Sequence, residues 1–167
     1  MVLYTSQYRI KRRLSGIQKM LRISKMTDYA IMVMVELQAA PQEVLSAVAL
    51  AERSHLELPT VSKVMKLLVK TELVESYRGA SGGYCMQRDA ADISVAEIIA
   101  AIEGPIAMTE CSVQQGLCAQ EAICGLRGNW QRISIAIAKA MAGVSLAEMA
   151  QPMKPIIPPL HINTLNV

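Results

Sequence analysis

The stretch from Pro59 to Lys70 constrains the fold more than any other part of this chain. Val61, Val64, Met65 and Leu68 recur at i, i+3, i+4 and i+7, which is one apolar stripe of an α-helix. Thr60, Ser62, Lys63, Lys66 and Lys70 occupy the other side, with hydroxyls near the helix start and lysines along its length. Two helical segments precede it. Residues 26–39, MTDYAIMVMVELQA, predict a helix capped by Thr27 or Asp28, with Ala30, Ile31, Met34, Val35 and Leu37 turned inward. Pro41 closes it, and a short helix over 46–54 follows with Ala47, Leu50 and Ala51 inward. Pro59 suits the first turn of the third helix. A helix, a short helix, a turn and a helix with a polar-basic outer face form the pattern of a helix-turn-helix, whose last helix enters the major groove of DNA. A merely solvated helix face has the same composition.

The next segment, LVESYRGASGGYCMQRDA, favours the helix-turn-helix reading. Leu73 to Tyr77 and Gly83 to Gln87 have strand character, and Gly79, Gly82 and Gly83 supply a tight reversal. A hairpin directly after a recognition helix is the wing of a winged helix, with Arg78 at its tip, beside Gly79 and Ser81, placed to reach the adjacent minor groove. GASGG is not a phosphate loop, because no helix start and no Lys-Ser/Thr follow it. Residues 94–103, SVAEIIAAIE, predict a helix capped by Ser94 with Glu97 at the capping-box position. Trp130 to Met141 predicts a longer one. Its stripe of Ile133, Ile137, Ala140, Met141 and Val144 is joined by Ile135, Ala136 and Ala138, so it is apolar on more than one face. Such a helix packs against its own domain and against something else, most economically a second subunit.

The chain of 167 residues contains no Phe, one Trp and eleven Met, so its core is aliphatic and methionine-rich, which suits packed helices better than a sheet sandwich. The fold class expected is mostly α with a small β-hairpin: a winged helix-turn-helix plus a long dimerisation helix. The net charge of +3 is misleading. Residues 1–25 hold seven basic residues and no acidic one, leaving ten basic against fourteen acidic residues in the other 142. Local placement, not bulk charge, therefore carries any case for nucleic acid. Residues 1–19 read as a basic extension, either a disordered arm or a start-site artefact ahead of Met20. Residues 20–90 read as the DNA-binding unit, 91–150 as a cysteine-bearing loop with the dimerisation helix, and 151–167 as a Pro-rich tail. No segment matches a membrane span or a secretory signal, and four cysteines without a signal indicate a reducing cytoplasm rather than a disulfide framework.

Cys111, Cys118 and Cys124 fall within fourteen residues, CSVQQGLCAQEAIC. Amid Glu, Gln and Gly they make a poor hydrophobic core. A zinc site usually shows a close Cys-x₂₋₄-Cys pair, which is missing here. The wider spacings and soft thiolates favour an iron–sulfur cluster, with one ligand of a four-thiolate shell unaccounted for. Cys85, within the wing, reads as a packing residue. The chain lacks GxSxG, HExxH, a Walker loop and any Cys-x-x-Cys pair, so no enzyme and no small-molecule substrate are expected.

Together the run ISKMTDYAI, the wing RGASGGY, the helix SVAEIIAAIEG and the three cysteines resemble the iron–sulfur-sensing winged-helix regulators. That family includes the IscR-type and nitric-oxide-sensing repressors and the regulators of SUF cluster-assembly operons, to which this chain is most similar. The resemblance spans about residues 21–150 and implies a cytoplasmic homodimer on a palindromic promoter site in double-stranded DNA. It also implies a 2Fe–2S cluster in preference to 4Fe–4S, and repression of iron–sulfur cluster assembly genes. Two departures stand out. The IscR-type pattern has five residues between its first two cysteines, where this chain has six, and a His three residues after the last, where this chain has Arg127. Arginine stays protonated and cannot ligate. His55 sits between helices of the reader and His161 in the tail, and Glu110 and Glu121 match no pattern. The nitric-oxide-sensing relatives place an aspartate in the matching motif that reaches the partner subunit's cluster, which makes Asp28 the implied fourth ligand; as a helix cap it would do nothing more. The competing readings are a zinc-stabilised winged-helix DNA-binding protein without redox sensing and a non-DNA interaction module. The DNA reading places Thr60, Ser62 and Lys63 nearest the bases, Lys66 and Lys70 on phosphates, and Arg78, Gly79 and Ser81 in the wing.

Overall fold

The computed structural model describes residues 23–79, 81–113, 116–119 and 123–152. The basic extension 1–19, the tail beyond Pro152, Glu121 and His161 lie outside them. In chain order the elements are α1 (Lys25–Gln38), α2 (Ala47–Ser54), α3 (Leu58–Lys70), β1 (Val74–Tyr77), β2 (Gly83–Met86), a 3₁₀ turn over Ala90–Asp92, α4 (Val95–Glu103), α5 (Glu110–Val113), α6 (Arg127–Ala142) and α7 (Leu146–Met149).

Helix α1 is the hub, packed by α2, α3, α4, α7 and β2. Contact from several sides explains why its buried face is wider than one stripe: Ala30, Ile31, Val33, Met34 and Leu37 are all buried, while Val35 is only partly so. Its cap is neither Thr27 nor Asp28. Ser24, with extended backbone, accepts the Thr27 N–H at 3.3 Å, so the helix begins one turn earlier than those two residues suggest. Thr27 is completely buried within the first turn, and Asp28 is exposed.

The step from α2 to α3 is made by His55, which caps α2 in the left-handed conformation at φ 54°. Pro59 falls in the first turn of α3, as its missing N–H allows. Val61, Val64, Met65 and Leu68 are fully buried. The hairpin is antiparallel, with Val74 opposite Met86 and Tyr77 opposite Gly83. It is anchored by Leu45, which exchanges two backbone hydrogen bonds with Tyr84 at 2.9 and 2.8 Å. A Cβ at Gly83 would lie 2.4 Å from the Leu45 carbonyl oxygen, so this approach requires glycine.

Helix α4 carries the capping box expected of Ser94 and Glu97, each bonding the other's backbone N–H. The same core continues past residue 90: Ile93, Ile98 and Leu146 are buried with Met34, Leu50 and Met65. Leu146 comes from α7, a helix the sequence reading did not anticipate. It is seated by a second capping box, Ser145 with Glu148, and by the bonds Val95 N–H to Val144 O (2.9 Å) and Leu146 N–H to Ile93 O (2.8 Å). Its sequence signal, SLAE, repeats the SVAE that opens α4. Helix α6 starts at Arg127, three residues before the expected Trp130, and leaves the core to lie against α4 and α5. Among the described residues no helix is long and apolar enough to cross a membrane.

Candidate nucleic-acid interface and cysteine segment

With the buried stripe of α3 set against the core, about 100° per residue turns Lys63, Lys66 and Lys70 away from the body. All three are exposed. Thr60 and Ser62 lie on the two flanks and are half-buried. Exposed Leu58 and Pro59 form the tip of the helix, an apolar element missed by a search for polar and basic side chains. Past β1 the chain presents Arg78, Gly79 and Ser81, all exposed, and Gly79 takes φ +113°, which a side chain would strain. The helix and the wing thus carry Lys63, Lys66, Lys70, Arg78, Gly79 and Ser81 on exposed parts of two elements anchored in one core. On the wing, the Tyr77 hydroxyl donates to Glu75 Oε2 at 2.9 Å. The Glu75 carboxylate, helped by the Cys85 thiol, holds the phenol protonated and pushes its pKa up to about 12. Cys85 is half-buried in β2 opposite Glu75, on the Tyr77 side of the hairpin, while its neighbours Tyr84 and Met86 pack on the core.

The cysteine segment grows from the short helix α5. Cys111 is 6% exposed, with Sγ 3.2 Å from Thr109 Oγ1. A chain of hydroxyls holds this turn to α6: Met108 N–H donates to Ser134 Oγ (3.1 Å), Ser134 Oγ to Ser112 Oγ (3.2 Å), and Ser112 Oγ to the Thr109 carbonyl (2.7 Å). Ser134 is the buried residue of α6, so the helix meets this turn through a polar contact. Arg127, the first residue of α6, donates from Nε to the Cys111 carbonyl at 3.3 Å. It therefore braces the segment from the start of α6 and is no ligand.

Cys118 and Cys124 are half-buried and unpaired as disulfides. Among the described residues no three His, Cys, Asp or Glu side chains converge on one point where a metal could sit. The structure thus places Cys111 firmly and does not bring the three thiols together. The chemistry of the donor set, three soft thiols on one fourteen-residue segment, still fits an iron–sulfur group. His55, held in a left-handed turn at the end of α2, belongs to the reader, and exposed Glu110 opens α5. Asp28 stands exposed on α1, and because Ser24 already caps that helix, capping does not account for its carboxylate.

A connection absent from the sequence reading joins α4 to α1. Glu103 Oε1 accepts the Ser24 N–H at 3.0 Å and the Thr27 hydroxyl. The Thr27 hydroxyl first, then the Ser24 N–H, hold the carboxyl below the usual carboxylate range. No local motif signals a pair 76 residues apart.

The family model described as Rrf2, iron-dependent transcriptional regulator, matches residues 23–152. The HTH-type transcriptional regulator IscR of Xenorhabdus nematophila is 30% identical over 132 residues, covering 78% of this chain and 80% of that protein. CymR, the global cysteine regulator of B. subtilis, is structurally similar with a TM-score of 0.60 at 27% identity, covering 78% of this chain and 97% of that one. IscR of T. potens gives a TM-score of 0.58 at 27% identity, over 77% of this chain and 85% of that one.

Proposed function

The chain belongs to the Rrf2 family of iron-dependent transcriptional regulators and is a DNA-binding winged-helix regulator, not an enzyme; from that premise we propose that it represses iron–sulfur cluster assembly genes as a cytoplasmic homodimer whose signal is an iron–sulfur cluster. The observation that carries this reading is the placement of three thiols within fourteen residues, from Cys111 in α5 to Cys124 just ahead of α6, a helix with exposed apolar side chains. Ile133 and Ile135 on α6 are 43% and 55% exposed, which suits pairing with a second copy over a palindromic site. Cys111, Cys118 and Cys124 are the proposed ligands, with 2Fe–2S preferred to 4Fe–4S, and Asp28 is the proposed fourth. A bound cluster supplies an oxidisable, releasable crosslink between these thiols. The chain's own contribution is to root Cys111 through Thr109, Ser112, Ser134 and Arg127, so that one end of the crosslinked segment is fixed to α6. On the reader, Lys66 and Lys70 engage phosphates, Thr60, Ser62 and Lys63 face the bases, and Arg78, Gly79 and Ser81 form the wing contact.

A second reading has one observation in its favour. The thiols are apart among the described residues, and the structurally similar B. subtilis protein is a cysteine regulator by name. On that reading the segment responds without a cluster, or holds zinc as a structural ion. Anaerobic purification separates these outcomes. The cluster reading expects a brown protein with visible absorbance and with iron and sulfide in equal amounts. Cys→Ser at position 111, 118 or 124 should abolish them, and Cys85→Ser should retain both. A colourless protein that binds promoter DNA at full affinity contradicts the cluster, and equal affinity for promoter and random DNA contradicts specific regulation.

A further inference from the structure

Thr27 is a polar residue with no exposed surface, and its hydroxyl finds its acceptor on a different helix. The acceptor, Glu103 Oε1, also takes the backbone N–H of Ser24, the cap of α1. One carboxylate oxygen thus ties the first turn of α1 to the last residue of α4. Directly after Glu103 the chain turns through Gly104, at φ +89°, and Pro105 toward the cysteines. Four residues past that glycine, Met108 N–H is held by Ser134, which is hydrogen-bonded to Ser112, the neighbour of Cys111. A short route of bonded groups therefore runs from the Cys111 turn to the hub helix of the DNA reader, and among the described residues Glu103 is its hydrogen-bonded link onto α1.

The surroundings leave this link room to shift. Glu103 stands in the wall of a cavity of about 250 Å³ lined by Ile23 ahead of α1, Ile99 of α4, Ile106 and Met108 of the connecting loop, and Ile137 of α6. A close-packed junction admits one arrangement, whereas an open cleft between these segments leaves the loop room to settle differently. At the far end of α4 the chain is fixed rigidly by the Val95–Val144 and Ile93–Leu146 bonds, so movement of the cysteine segment is directed to the Glu103 end. Helix α1 packs on both α2 and α3 and would carry a shift of its first turn to the recognition helix as a rigid element.

We propose that Glu103 is the positioning residue that couples the cysteine segment to the DNA reader, through its bonds to Thr27 and Ser24. The proposal deepens the regulatory function and rests on it. It is tested on the full chain with Glu103→Ala, Glu103→Gln, whose amide oxygen can still accept both bonds, and Thr27→Val, which removes only the buried hydroxyl. The first readout is the ratio of DNA Kd between cluster-loaded and cluster-free protein. The wild type should show a ratio of about fivefold or more. Glu103→Ala should keep the cluster absorbance and the cluster-free affinity while the ratio falls to about one. Glu103→Gln should keep the wild-type ratio, and Thr27→Val should reduce it, which also serves if Glu103→Ala does not fold.

The second readout needs no cluster. Hydrogen–deuterium exchange is followed in residues 25–31, in proteins that carry Cys85→Ser, before and after the remaining cysteine thiols are alkylated with N-ethylmaleimide. With Glu103 in place alkylation should change exchange in this first part of α1; in Glu103→Ala exchange should already be raised, and alkylation should change it no further. An unaltered Kd ratio in a cluster-loaded Glu103→Ala protein overturns the coupling, as does an equal response of residues 25–31 to alkylation in both proteins. If the wild type binds no cluster, the cluster reading falls and the exchange comparison alone decides the coupling.

Discussion

Replacing Lys66 with Ala tests the reader at its most quantitative point. Lys66 is exposed on the face of α3 opposite Val61, Val64, Met65 and Leu68, and no ion pair to it occurs among the described residues. Its ammonium is therefore available to a phosphate. Each phosphate neutralised contributes about 0.9 to the slope of log K against log salt, and the proposed homodimer loses two such contacts per substitution, so the slope should fall by about 1.8. Between 50 and 200 mM salt this predicts that the affinity deficit of Lys66→Ala shrinks by about twelvefold. Fluorescence anisotropy across that range, on promoter and random duplexes, measures it, and the deficit should be the same on both sequences. Ser62→Ala is the neutral control: it should change sequence preference and leave the slope alone. A slope change near 0.9 would indicate one engaged subunit and refute two-fold binding, whereas no change would remove Lys66 from the interface.

The remaining expectations concern the scaffold and the dimer. Leu146→Ala empties a fully buried position of α7 and should cost about 2–5 kcal/mol in urea denaturation, whereas a loss below about 1 kcal/mol would mean that α7 is not part of the core. Glu97, Glu103 and Glu148 are all held below the usual carboxylate range, by the Ser94 N–H, the Thr27 hydroxyl and the Ser145 N–H respectively. A depressed folded pKa gives stability that is present above the unfolded value of about 4.3 and lost as pH falls through the folded values. The urea midpoint should accordingly drop on acidification below about pH 4.5, and Glu97→Gln should flatten that drop; an unchanged acid profile counts against the assignment. Ile135→Asp, on the exposed face of α6, should give a folded monomer by sedimentation with much weaker promoter binding, and an intact dimer would move the interface elsewhere.

The DNA reader was legible in the sequence because its determinants are local. The apolar period of α3, Pro59 in its first turn, the glycines of the wing and the Ser94–Glu97 capping box each specify their element within a few residues, and each lies where the pattern put it. The first helix was misjudged at its start because two polar residues, Thr27 and Asp28, stood closer to the apolar run than Ser24. Only the tertiary contact with Glu103 shows that Thr27 is an interior residue. Helix α7 carried a usable signal in SLAE, but four residues are too few to form a helix without the packing of Leu146.

The three cysteines could be read from composition as a soft donor set, because ligand softness belongs to the residue type. The seat of Cys111 depends on a turn held between Ser112 of α5 and Ser134 and Arg127 of α6. By itself the sequence determined the local helices, the wing, the basic face and the chemistry of the thiols, all set by neighbours along the chain. Only the tertiary structure decided that α1 is the hub, that Leu45 and Gly83 anchor the wing, and that Glu103 joins α4 to α1. The wing and Glu103 contacts link residues 38 or more positions apart, and their energies arise when the chain closes on itself rather than from any short pattern.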